Sequence, residues 1–440
     1  MEQTRNDDPY IQYMYSYPHK TAYGSLQGFH FAKALEQLEE HSNNSLYIHI
    51  PFCQYKCGYC NLFSVTGQNE AFMEQYILAM ERQASQLQEV MPHSVRFMDL
   101  TVGGGTPLIL SERLLSRVLD LARNYFSIPY GTCPVVIETS PNQTTEEKLR
   151  LLRSYGVTRL SIGVQSFQNT ELEQLHRYHT QQSAQTALET IRRVGFPCTN
   201  IDLIYGIPGQ TPDSLQDSLQ QALLYKPEEL FVYPLYVKKG TSLYQAGIKR
   251  SDMAAQLYHC AVEYLKENGY IQVSMRRFVR SDYAAQQVEE PCGFGNTLSI
   301  GCGGRSYLGN LHFCTPYTVG QKSCYAGIKQ YIEQKDFLTA DDRTVCGYIL
   351  SQEEQKRRYA VKNILFGNGI DRADYREHFV SDVQEDFPMI RAWCQKGYAK
   401  VSETHIMLTE EGLALSDYLG PQFISSEVAE RMKQWQQKQV

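Results

Sequence analysis

Three cysteines sit in one short run, Cys53-Gln54-Tyr55-Lys56-Cys57-Gly58-Tyr59-Cys60. The thiolate form of cysteine binds metals, and the C-x3-C-x2-C spacing brings three such ligands to a single loop. Three thiolates complete only three corners of an iron–sulfur cubane, for which four cysteines are usual. An iron left without a protein ligand is an open coordination position, which is what a catalytic metal site keeps. Spacing alone also admits a three-cysteine zinc site that borrows a fourth ligand, or three cysteines buried as small hydrophobes.

A second landmark is Gly103-Gly104-Gly105-Thr106-Pro107, directly after the strand-like run 97–102. Three glycines let a backbone approach a ligand closely, although the same run can be a tight strand-to-helix turn. Glu138, Gln165 and Asp202 stand at or near the ends of further strand-like runs. Asp202 has apolar neighbours on both sides, and a charge in such a strand needs a partner. These three can satisfy one another or Arg177 in a structural network. Gathered at strand ends beside the two loops, they also have the character of a binding site.

The elements that must position these residues recur with a regular rhythm. Strand-like runs fall at 46–50, 97–102, 135–139, 158–164, 200–205 and 230–236. Helical patterns lie between them at about 111–126, 145–155, 183–195 and 211–226, and another follows at 253–268. Phe72, Tyr76, Met80 and Leu87 mark one more helix by their spacing. Such repeats predict parallel strands joined by right-handed crossovers. The pattern permits a doubly wound sheet or a barrel. In either, ligands collect at the carboxyl ends of the strands, where both loops fall.

Around this α/β core we divide the chain into an N-terminal extension at 1–45, a barrel at 46–275, a Gly- and Cys-rich strand-and-loop region at 276–345 expected to close the barrel, and a C-terminal domain at 346–440. The extension reads as a strap on the barrel or a substrate lid. Ser351-Gln352-Glu353-Glu354 predicts a capping box opening a helix. Helical patterns continue to about Gln395, and 398–402 with 405–408 alternate like a hairpin. That order predicts a small winged-helix-like domain. Residues 351–440 hold 12 Lys and Arg against 14 Asp and Glu, so the basic excess that neutralises phosphates is absent and a cover or docking piece is expected.

A chain of 440 residues with a net charge of −6 carries no nucleic-acid signal. Residues 1–6 lack the basic and apolar regions of a secretory signal, and no stretch approaches a membrane span. The 12 cysteines show no disulfide framework. A reducing cytoplasm is therefore expected. Cys292, Cys302 and Cys314 are among the cysteines without tight ligand spacing and read as buried hydrophobes. His19, His49, His176 and His179 read as structural.

The cysteine run and the glycine loop together resemble the radical S-adenosylmethionine (SAM) enzymes. More narrowly, Tyr47-Ile48-His49-Ile50-Pro51-Phe52-Cys53 and Asn200-Ile201-Asp202-Leu203-Ile204-Tyr205-Gly206-Ile207-Pro208-Gly209-Gln210-Thr211 are similar to the oxygen-independent coproporphyrinogen III oxidase-like family. That family also includes heme chaperones and porphyrin-directed methyltransferases. The likeness runs from about Tyr15 to Asp417.

It implies an open (β/α)6 partial TIM barrel and a 4Fe–4S cluster on Cys53, Cys57 and Cys60. It further implies SAM contacts at Tyr47, Gly104, Gly105, Thr106, Glu138, Gln165, Arg177, Asp202 and Ile204, with Tyr59 covering the cluster and the adenine. A second SAM would use Gln165, Arg177 and Asp202. Reductive cleavage of SAM to a 5′-deoxyadenosyl radical, hydrogen abstraction from an organic, porphyrin-like substrate, and an electron donor such as flavodoxin or ferredoxin are implied with it. A heme-binding chaperone and a SAM-dependent methyl or alkyl transferase are the alternatives within the family. No catalytic side chain is assigned. The oxidase carries a further cysteine two residues after its last cluster ligand, and here Leu62 stands in that place.

Overall fold

The computed structural model describes residues 9–14, 16–38, 43–284 and 294–437. Tyr15 and Cys292 lie outside the described residues. The chain divides into two compact units that are discontinuous in sequence: 24–268 with 295–347, and 1–23 with 269–294 and 348–440.

The first unit is built on six parallel strands in chain order: β1 (Asn44–Ile50), β2 (Asp99–Gly104), β3 (Val135–Thr139), β4 (Arg159–Gln165), β5 (Cys198–Tyr205) and β6 (Glu229–Pro234). Each pairs with the next in parallel register. The crossovers carry α1 (Glu70–Val90), α2 (Glu112–Phe126), α3 (Glu146–Ser154), the short α4 (Asn169–Gln174), α5 (Gln181–Val194) and α6 (Pro212–Leu223); α7 (Ala254–Glu267) follows β6. Helix starts are fixed by side-chain caps. Asn69 accepts from Phe72 N–H, Ser111 from Leu114 N–H, and Thr211 forms a capping box with Ser214.

The strands hold together because both faces are covered. Ile48, Val102, Ile137, Ile162, Ile201 and Leu203 are fully buried, each contributing about 1.5–3 kcal/mol by leaving water. This α/β architecture of parallel strands and crossover helices is that of a partial barrel. A further strand, β7 (Asn296–Ile300), adds in parallel beside β1, at the edge away from β6. β8 (Arg305–Leu308) and β9 (Leu311–Cys314) continue from it antiparallel.

The second unit contains helices at Gln352–Ile364, Arg372–Phe379 and Met389–Gln395, and a three-stranded sheet ordered Ile370–Asp371, His405–Leu408, Ala399–Val401. The helix–helix–hairpin order expected there is present. Its core packs Tyr359, Tyr375, Phe387, Trp393 and Phe423 with Met14, Tyr17 and Ala22. Part of the N-terminal extension is thus a structural member of this unit, where the sequence suggested a strap or a lid. Ser351 accepts from Glu354 N–H at 3.3 Å. The return half of the expected capping box is not formed, because Glu354 accepts the Tyr17 hydroxyl. No helix among the described residues is long and apolar enough to cross a membrane.

Candidate metal centre and cofactor cleft

Cys53 follows β1 immediately, because Phe52–Cys53 turns to pair in parallel with Val65–Thr66. The loop between those two short strands carries Cys57 and Cys60, and it is clamped from three directions. Gly58 N–H donates to Leu175 O at 2.9 Å, and Gly58 O accepts from Leu243 N–H at 3.0 Å. A Cβ at Gly58 would lie 2.8 Å from the Leu243 side chain, so no larger residue fits. The Lys56 ammonium donates to Val319 O at 2.7 Å, Leu62 O at 3.3 Å and Ser64 O at 3.4 Å.

The three thiols are neighbours. Burial, then repulsion from Cys60 and Cys57, pushes the Cys53 thiol up to about 12. Burial and Cys57 raise Cys60 as well. Yet among the described residues no three His, Cys, Asp or Glu side chains converge on a point where one metal ion could sit. Three neighbouring thiols on one loop are a donor set that suits a cluster, in which each thiolate binds its own iron. Bound cations would reverse the shift and hold the sulfurs ionised.

The glycine loop leaves β2 against this ligand loop. Gly105 N–H donates to Ile50 O, and Thr106 N–H to Phe52 O, both at 2.8 Å. A Cβ at Gly105 would lie 2.5 Å from Phe52 O and 2.9 Å from Cys53 Sγ. At Gly103 it would meet the Glu138 carboxylate, and at Gly104, where φ is +115°, the His49 ring. The sequence suggested that small size here admits a ligand. In the structure the space beside each glycine is filled by the protein itself. His49 is fixed from both sides: its Nε2 donates to Phe63 O at 3.0 Å and its Nδ1 accepts the Tyr47 hydroxyl at 3.2 Å.

Strand register brings the polar residues into rows. Glu138 lies opposite Ser161, Ser161 opposite Asn200, and Gly163 opposite Asp202. Glu138 accepts from Gly104 N–H at 3.1 Å. Burial raises its carboxyl against the opposing pull of that bond and of Arg159. Asn200 Nδ2 lies 2.7 Å from both Asp202 Oδ1 and Ser161 Oγ, and its Oδ1 is buried without a partner. Burial pushes Asp202 to about 7, opposed by Asn200 and Arg159 and reinforced by Glu138. Neither Glu138 nor Asp202 forms an ion pair among the described residues.

Gln165 is buried at a bulge, with φ +71° where the pairing to β5 slips. Ile204 packs with Leu175, Ile207, Leu235 and Leu243, and Tyr59 rests on that group. Thr106 Oγ1 lies 3.9 Å from Cys53 Sγ, and Arg177 donates to Cys57 Sγ at 3.0 Å. Arg177 thus reaches the ligand loop, where the sequence also allowed a solvated cap. Leu62, beyond the last cysteine, is 47% exposed. Sequence reasoning passed over Asn200, Ser161, Arg159 and Lys56. The alternation Asn200, Asp202 along one apolar strand was the available signal for the first.

Three comparisons bear on this arrangement. The family model for the radical SAM superfamily matches residues 47–222, which span the ligand loop, the glycine loop and Asp202. The heme chaperone HemW of Bacillus subtilis is 27% identical over 385 residues, covering 85% of this chain and 97% of that protein. The oxygen-independent coproporphyrinogen III oxidase of Escherichia coli is 28% identical over 438 residues, covering 92% of each. In fold, the chain matches the solved Escherichia coli coproporphyrinogen III oxidase with a TM-score of 0.80, at 24% identity over 94% of this chain and 97% of that one.

Proposed function

Residues 47–222 match the radical SAM superfamily model, and from that premise we propose that the chain is an enzyme that cleaves SAM reductively and abstracts hydrogen from a porphyrin-like organic substrate. The observation that carries this reading is the pair of half-buried carboxylates, Glu138 and Asp202, which form no ion pair among the described residues and are both raised by burial. In this reading Cys53, Cys57 and Cys60 hold a 4Fe–4S cluster. When bound, that cluster and SAM supply a one-electron cleavage of the sulfonium and a hydrogen-abstracting carbon radical.

The chain's own residues do the rest. Glu138 and Asp202 take the cationic and hydroxyl groups of SAM, whose positive charge would draw the raised Asp202 back toward ionisation. Tyr59 and Ile204 give the adenine an apolar floor, while Tyr47, Gly104, Gly105, Thr106, Gln165 and Arg177 complete the contacts. The clamps on Gly58 and Lys56 keep the ligand loop rigid and limit water.

A small-molecule substrate of porphyrin class is supported by relatives that cover nearly the whole chain. An electron donor such as flavodoxin or ferredoxin, a cytoplasmic setting and no nucleic-acid partner belong to the same proposal. Leu62 favours a second reading, a heme-binding chaperone of this fold, because an isobutyl group cannot give the proton, hydrogen or electron that a thiol can.

The test is anaerobic incubation of reconstituted, dithionite-reduced protein with SAM. Formation of 5′-deoxyadenosine supports the enzyme. Stoichiometric heme binding with no 5′-deoxyadenosine, with or without heme, overturns it in favour of the chaperone.

A further inference from the structure

Arg177 forms no ion pair among the described residues, although its charge is felt by Asp202. It follows α4, and its N–H donates to Leu172 O at 2.8 Å. His176, at φ +51°, turns the chain so that the guanidinium points back toward the strand ends. One terminal nitrogen donates to Cys57 Sγ at 3.0 Å and the other to the Gly163 carbonyl. The guanidinium carbon lies 5.9 Å from the Tyr55 ring centroid, and Nε is buried without a partner. Among the described residues no Asp or Glu lies within ion-pair distance.

The backbone is shaped for this reach. The β4–β5 register slips between Gly163 and Gln165. A Cβ at Gly163 would lie 2.6 Å from Gln165 Nε2 and 3.5 Å from the Arg177 nitrogen. The Arg177 side chain is half-buried, and a guanidinium bonds a charged sulfur more strongly than a neutral thiol. In the cluster reading the ligating Cys57 sulfur is the acceptor that Arg177 touches, at 3.0 Å.

We propose that Arg177 is a positioning residue for the metal centre: its hydrogen bond to the Cys57 sulfur raises the reduction potential of the cluster in the absence of SAM. The inference rests on the reading of the three cysteines as cluster ligands. In the step concerned, one electron passes from a chemical reductant to the cluster, with no bond broken and no proton moved. The centre becomes more negative by one charge. Charged N–H donors to a ligating sulfur stabilise that reduced state more than the oxidised one.

The test uses the full chain, reconstituted anaerobically as wild type, Arg177→Gln and Arg177→Lys, and titrated without SAM while the cluster absorbance and the electron spin resonance of the reduced state are followed. Omitting SAM separates this role from any contact with the cofactor. We expect equal iron contents. At the poise where wild type is half reduced, Arg177→Gln should have about a tenfold lower ratio of reduced to oxidised cluster, equal to about 59 mV for one electron.

Arg177→Lys should fall between, since an ammonium keeps the charge but cannot fork between Cys57 and Gly163. If Arg177→Gln takes up no iron, the lysine variant decides: a partial shift supports the proposal, and a wild-type ratio overturns it. A wild-type ratio in Arg177→Gln, or loss of iron from both variants, also overturns it. A wild-type chain that binds no iron would instead refute the cluster reading beneath it.

Discussion

The carboxyl ends of the barrel strands and the core of the second unit treat buried charge in opposite ways. In the second unit Lys356 pairs with Asp386 at 3.0 Å, Arg372 with Asp382 at 2.9 Å, and Arg276 with Asp417. Burial alone would raise Asp386, yet bonds from Ser381, Tyr375 and Lys356 hold it below the usual range. The amino ends of the barrel strands follow the same rule, with Arg159 on Glu229 at 2.7 Å. At the carboxyl ends the rule lapses, and Glu138 and Asp202 are raised by burial. Charges that meet inside the chain serve the fold. Charges left unmet at one rim of a barrel are, in the proposed reading, set for a ligand, because leaving them so costs stability that binding would return.

Four experiments break or sharpen this contrast. The largest effect is expected at the ligand loop: Cys53, Cys57 and Cys60 all changed to Ala should drop bound iron from about four per chain to near zero, with circular dichroism unchanged. Full iron content in that variant would remove the metal from the comparison. Next, Gly105→Ala forces a methyl against Phe52 O and Cys53 Sγ. Overpacking of this kind costs about 1–3 kcal/mol, or about 5–150-fold, and should appear as weakened iron loading as well as lost SAM cleavage. Normal loading would mean the loop yields freely.

In the second unit, Asp417→Ala strips Arg276 of its carboxylate. We expect a loss on the order of 3–5 kcal/mol in urea unfolding, with iron content per folded chain unchanged. A shift under about 0.5 kcal/mol, the range of ordinary surface changes, would show that the pair does not hold the fold.

The smallest effect separates the regions by pH. Asp202 is raised when folded, so the native state keeps its proton longer than the unfolded chain does. Its penalty is absent below the unfolded value near 4 and grows as pH rises to about 7. Asp202→Asn in the apo protein should therefore be more stable than wild type at pH 8, by on the order of 1–3 kcal/mol, and equal to it near pH 3.5. Asp386 is lowered, so its contribution is present above pH 4 and is lost as pH falls below. An Asp202→Asn gain that does not change with pH would place the benefit in packing rather than charge.

Much of the barrel was legible because its signals are local. The strands expected at 135–139 and 158–164 occur at Val135–Thr139 and Arg159–Gln165, since β-branched runs between caps and turns carry their own period. The six-residue α4 was passed over, being too short to show one. Glu138 and Gln165 could be found because each lies at or near the end of an apolar strand, and Asp202 because it interrupts one. Asn200 and Ser161 could not be paired from sequence, because their meeting depends on register across β4 and β5. Lys56 was illegible for the same reason: its partner Val319 is 263 positions away. The role of Met14 and Tyr17 in the second unit's core is likewise a long-range fact, since they share a cluster with Tyr359 and Phe423.

The clamps on the ligand loop also set a schedule for biogenesis. The loop spans Cys53 to Cys60, but the groups that fix it come from Leu175, Leu243 and Val319. A ribosome that has just released the three cysteines has yet to make any of those anchors. Iron delivered to the nascent chain would meet a floppy, closely spaced set of thiols open to oxidation. In the cluster reading, loading this loop in its clamped form requires that translation has passed Val319.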